Sequence, residues 1–190
     1  MIADVTAVKM LQMPFGIVIP GGTFIYAVTF TVRDALHRKH GVDAAQSAIY
    51  AAGVINVLMA LYFALTIVLP FPPFWGLQDA YASILMVVPG IVISSIIAEL
   101  VSELVDTKLY QWSWDTFMPN SHFGRIALSN FVSVPLDSLL FATLAFVAWP
   151  TVFGGDVTPW AGILSITVGQ SIFKWIVSFI VAPFTVILNK

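Results

Sequence analysis

The chain contains no cysteine, which excludes disulfides and thiolate metal sites. Charge is scarce as well. Asp, Glu, Lys and Arg make up 9% of the 190 residues, where soluble domains carry about a quarter. Net charge is −2 and no basic run occurs, so nothing would draw a nucleic acid. There is no G-x-x-x-x-G-K-[ST] loop, so the chain does not itself hydrolyse a nucleotide. H-E-x-x-H and G-x-S-x-G are missing too, and His37, His40 and His122 all fall between apolar segments. An intramembrane enzyme therefore has no recognisable catalytic set, and neither a cofactor nor a metal is expected.

What abounds is apolar: 59% of residues are hydrophobic and mean hydropathy is +0.94. At roughly 20 residues per spanning helix, this length holds about five or six spans and no soluble domain. The expected fold is all-α, a polytopic membrane helix bundle forming one integral membrane domain over residues 1–190. Helices are required because open strands cannot satisfy their backbone in lipid. Five complete spans are read at Gly22–Leu36, Ala44–Leu69, Ser83–Leu109, Ile126–Trp149 and Trp160–Leu188. The segments HRKHG, PFPPFWG, SWDTFMPNSHFG and PTVFGGDVTP separate them. Before the first span, Ile2–Gly21 carries Lys9, Pro14, Gly16, Pro20 and Gly21. That stretch reads as a short, re-entrant or truncated helix. Gly53 and Gly169 read as sites of close helix packing.

Basic residues orient the chain. The loop His37–His40 is basic, Lys108 and Arg125 bound the next turn on that side, and the chain ends at Lys190. The loops Pro70–Gly76 and Pro150–Pro159 hold no Lys or Arg. The first set is assigned to the cytoplasm, together with the C-terminus, in an inner membrane. Trp75, Trp112, Trp114, Trp149 and Trp160 lie at segment ends and read as interfacial anchors.

Ionisable groups inside the spans are the main functional signal, because a charge at that depth costs several kcal/mol unless it meets a partner, a cavity or a proton. Ser95, Glu99, Ser102 and Asp106 follow helical spacing on one face, with Glu103 beside them. Asn130, Ser133 and Asp137 share a face of the next span, and Pro135 there frees a carbonyl near Phe131, where local unwinding is expected. The last span carries Gln170 and Lys174 one turn apart. Lys174 has apolar residues on both sides for more than two turns, so pairing with Glu99 or Asp137 is the economical account. One deep cation does not balance Glu99, Glu103 and Asp137, and the surplus carboxylate points to a polar solute. A flat solute wants an aromatic slot, for which Phe131, Phe173 and Trp175 are candidates. Candidate binding residues are thus Glu99, Glu103, Asn130, Asp137, Gln170 and Lys174, with Asp34, Asp106, Lys9, Phe131 and Trp175 secondary. SELVDTKLY and SVPLDSLLF also share Ser, Asp, a hydroxyl residue, Leu and an aromatic at matching offsets. In so biased a composition, nine residues read as coincidence.

Several pieces together resemble the queuosine precursor transporter family, also called the vitamin uptake transporter family. They are DVTAVK with Lys9, FIYAVTFTVRDALHRKHG with Asp34, SELVD with Glu103 and Asp106, SNFVSVPLDS with Asn130 and Asp137, and FKWIVSFIVAP with Lys174. The resemblance implies a six-span inner-membrane carrier that imports 7-deazaguanines such as 7-cyano-7-deazaguanine. It implies a small nucleobase-like substrate and the lipid bilayer as partners. Family members usually begin with a full helix before DVTAVK, and its absence would leave a groove that a second copy could fill as a homo-oligomer. A vitamin-binding subunit driven by a separate ATPase is the competing transport reading, and a purely structural membrane protein is the other.

Overall fold

The structure, a computed structural model, describes residues 2–26, 42–116 and 122–187. Four of its helices contain stretches long and apolar enough to cross a membrane: Ser47–Val68, Gln78–Thr116, Ala127–Phe153 and Trp160–Val177. They coincide with four of the five expected spans. The fifth, Gly22–Leu36, lies mostly outside the described residues, and only residues 23–26 of it are seen to be helical.

Before these spans the expected single helix gives way to a helix and a hairpin. Helix α1 covers Ile2–Thr6, and strands β1 (Met10–Gln12) and β2 (Val18–Pro20) pair antiparallel, with Leu11 opposite Ile19. The reason is local. Pro14 cannot donate to a helix, Phe15 and Gly16 both take positive φ at the turn, and Ile17, Val18 and Ile19 favour extension. Met13 N–H closes the turn on the Ile17 carbonyl at 2.7 Å.

Helix α2 (Val42–Val68) is followed by a proline-rich loop and short helix α3 (Gln78–Leu85). Gln78 Nε2 donates to the Ile67 carbonyl at 2.8 Å, satisfying an acceptor that the end of α2 leaves over. Helix α4 runs from Val88 to Thr116, with Pro89 in its first turn, where a missing N–H is harmless. Helix α5 (His122–Thr143) passes through Pro135 unbroken, so the unwinding expected there does not occur. The irregularity comes later, as a π-helical turn at Leu144–Ala148 leading into α6 (Trp149–Phe153). Thr158 N–H reaches back to the Phe146 carbonyl in that turn at 2.9 Å. Helix α7 (Trp160–Ile187) closes the bundle.

Small polar residues are buried beside the apolar core, and large apolar side chains also cover the outside. Buried positions include Ser94, Ser102, Ser113, Ser129, Ser133, Ser138 and Ser171, whereas Leu58, Leu61, Leu65, Leu100, Leu104, Leu164 and Ile176 face outward. Lipid repels none of these leucines, so small residues at the contacts let the helices approach, and Ser102 and Ser133 bond across from one helix to the next. Gly90 meets the Trp149 indole so closely that a Cβ would lie 2.3 Å from the ring.

Glycine roles differ from the sequence reading. Gly53 has open space around it and packs nothing closely among the described residues. Gly169 is a contact point, although its partner is the hairpin and not another helix: a Cβ there would lie 2.5 Å from Ile17 and 2.9 Å from the Val18 carbonyl oxygen. Val18 N–H also donates to Ser165 Oγ at 3.0 Å. The hairpin is thereby seated on α7, and Ala7, Val8, Met10 and Val18 join Ile91, Phe146, Ile163 and Ile166 in one apolar cluster.

Candidate functional site

Below that cluster lies a cavity of about 50 Å³, where one water takes roughly 10–15 Å³ by a like measure. Its walls come from four parts of the chain. Asp4, Thr23 and Tyr26 belong to the N-terminal segment, Ile91 and Ser95 to α4, Asp137 and Phe141 to α5, and Gln170 and Lys174 to α7. Depth follows from helix rise. Twelve residues separate Asp137 from Trp149, and fourteen separate Lys174 from Trp160, placing both about 18–21 Å below the tryptophans at 1.5 Å per residue. In a hydrocarbon layer about 30 Å thick, that is well inside.

Lys174 Nζ forms an ion pair with Asp137 Oδ2, the second of the two partners expected from sequence, at 12% and 15% side-chain exposure. Lys174 also reaches Ser138 Oγ at 3.2 Å and stands 5.7 Å from the centre of the Tyr26 ring. The other Asp137 oxygen accepts from Ser102 Oγ at 3.2 Å. One turn further from those tryptophans, Ser133 Oγ donates to Asp106 Oδ1 at 2.8 Å. The two bonds are reciprocal: Ser102 of α4 serves Asp137 of α5, and Ser133 of α5 serves Asp106 of α4. The repeated Ser-x-x-x-Asp thus has a physical counterpart, a local two-fold relation between antiparallel helices.

The other candidates scatter. Glu99 is half-buried and Glu103 exposed, and neither lines the cavity. Glu103 follows Ser102 by one residue, and the 100° step turns it off the face that meets α5. Asn130 contributes its carbonyl to the Trp175 indole N–H at 3.3 Å and does not line the cavity. Phe131 and Trp175 stack on each other at 5.6 Å with planes 3° apart, and Phe131 is 65% exposed. They form no slot for a solute, and Phe173 packs edge-on against Phe24 instead. The aromatic walls are Tyr26 and Phe141. Lys9 is exposed, and Asp34 lies outside the described residues.

Sequence reasoning missed Thr23, Tyr26 and Asp4. A single hydroxyl or ring in an apolar run has no period to reveal it, although Asp4 stands in the DVTAVK piece. Thr23 Oγ1 and Gln170 Oε1 have no hydrogen-bond partner among the described residues, although the two residues are 5% and 6% exposed. Among the described residues no group of three or more His, Asp or Glu could hold a metal ion.

Long apolar helices with outward-facing leucines define a multi-pass membrane protein, and an ion pair borders the cavity between its helices. Residues 20–188 match the family model described as "Putative vitamin uptake transporter", and the chain belongs to that family. It is 26% identical over 191 residues to a Bacillus subtilis (strain 168) protein named "Probable queuosine precursor transporter", covering 99% of this chain and 79% of that one. No solved structure matches.

Proposed function

We propose that this protein carries queuosine precursors, 7-deazaguanine bases such as 7-cyano-7-deazaguanine, across the inner membrane through the cavity between α4, α5, α7 and the N-terminal segment. The observation that carries this reading is the Asp137–Lys174 pair at the cavity wall with Gln170 one turn above it. A guanine-like edge offers adjacent N–H donors and a carbonyl. A carboxylate accepts such donors in bidentate fashion, and an ammonium donates to the carbonyl. Ion pair and solute are therefore interchangeable partners: Asp137 and Lys174 satisfy each other when the site is empty and turn to the base when it arrives. Ile91 and Phe141 supply apolar walls for its ring. The name of the Bacillus subtilis relative supports the same substrate class. The C-terminus lies in the cytoplasm, by the distribution of Lys and Arg.

The test is uptake of labelled 7-cyano-7-deazaguanine into proteoliposomes holding only the purified chain. Saturable uptake, competed by related 7-deazaguanines and not by unrelated vitamins, is expected. Retention of binding without any uptake would assign the chain to a partner-driven system, and absence of binding would end the substrate reading.

A further inference from the structure

Thr23 Oγ1 and Gln170 Oε1 are buried polar atoms with no hydrogen-bond partner among the described residues. Ser102, Ser113, Ser133 and Ser171, similarly buried, each reach an acceptor. An unpaired buried donor or acceptor is costly, so it calls for a physical account. Threonines elsewhere in this chain donate back along their own helix, as Thr6 does to Ile2, Thr151 to Val147 and Thr167 to Ile163. Thr23 makes no such bond among the described residues. It stands at the first helical position after the hairpin, so the residues three and four back, Pro20 and Ile19, belong to β2. Thr23 lines the cavity from the N-terminal side, and Gln170 lines it from α7. The two atoms do not bond each other among the described residues.

We infer that Thr23 and Gln170 form a two-point clamp that reads one polar edge of the transported solute, an inference that rests on the cavity being the solute site. Gln170 Oε1 only accepts, so the solute must present an N–H to it. The Thr23 hydroxyl donates or accepts, so the neighbouring solute atom is polar, of either sense. Lys174 lies one helical turn from Gln170 on the same wall, and the ion pair therefore meets a different edge. The substrate class that fits is a flat heterocycle with an N–H beside a second polar atom on one edge and further polar groups on another. A ring alkylated at that N–H cannot satisfy the clamp.

The experiment uses the full-length purified chain and its T23V, T23S and Q170L variants. It measures the unfolding midpoint without ligand, and binding of 7-cyano-7-deazaguanine and of its ring N-methylated analogues. For T23V and Q170L the unliganded midpoint is expected to hold or rise, because an unpaired polar atom is removed. Affinity for the parent base is expected to fall about tenfold in each, the usual effect of one lost hydrogen bond, and to stay near wild type in T23S. Wild type rejects one N-methyl analogue, and Q170L loses that discrimination. The clamp is overturned if both variants melt several degrees lower yet bind normally, which would make the hydroxyl and amide structural. If the wild-type chain binds no 7-deazaguanine, the substrate reading falls. The unliganded midpoints then decide the clamp alone: lower values in both variants overturn it, and unchanged or higher values sustain it.

Discussion

Two Ser–Asp contacts join α4 to α5, and only one of them borders the cavity. Ser102–Asp137 and Ser133–Asp106 use the same residue types, the same four-residue spacing and bonds of 3.2 and 2.8 Å. The difference lies in the third helix. At Asp137, α7 brings Lys174 and Gln170 alongside, whereas Asp106 accepts from the Ser133 hydroxyl. A buried carboxylate is not a site by itself. It becomes one where a separate element supplies a complementary charge and leaves room beside it.

The comparison breaks most visibly at Lys174. Neutralising one partner of a buried pair strands the other, at a cost of about 3–5 kcal/mol. K174M and D137N should each lower the unfolding midpoint by many degrees and reduce uptake by at least a hundredfold. The double variant K174M/D137N should recover most of the stability and none of the uptake, as parallel melting and vesicle assays would show. G169A comes next. Its new Cβ meets Ile17 and the Val18 carbonyl, so the hairpin must shift at a cost of about 1–3 kcal/mol, with uptake down roughly tenfold. D106N keeps an acceptor for Ser133 and should cost about 1 kcal/mol or less, leaving uptake within twofold. A loss as large as that of D137N would erase the distinction between the two contacts. E103Q, at an exposed position, should change stability by no more than about 0.5 kcal/mol and leave transport intact.

Much of the scaffold was legible in sequence because hydrophobic length is a strong, additive signal: the four spans after residue 41 fall where runs of about 20 apolar residues demand them. The pairing of Lys174 was legible for the same reason, since a lone ammonium so far from both interfaces has few alternatives. Rotation about the helix axis was harder. Glu99, Ser102 and Asp106 share a stripe; Ser102 and Asp106 bond across to α5, and Glu99 does not line the cavity. Phe131 and Trp175, on different helices, stack on each other and do not line the cavity, a pairing that no sequence period announces. The hairpin was hidden by a habit of reading broken apolar sequence as broken helix, although Pro14, Phe15-Gly16 and the run Ile17-Val18-Ile19 carry the turn and strand chemistry. Thr23 became visible only as an atom lacking a partner.

The seating of Val18 on Ser165 spans 147 residues of chain. At roughly 5–20 residues per second, a ribosome needs about seven to thirty seconds to reach the serine after it has made the valine. Throughout that interval the hairpin cannot take its final place, because the surface that receives it does not yet exist. The chamber is thus sealed last, by the union of an early-made element with a late one. A nascent chain interrupted before α7 would leave Thr23 and Asp137 facing whatever surrounds them, a state that membrane quality control can recognise.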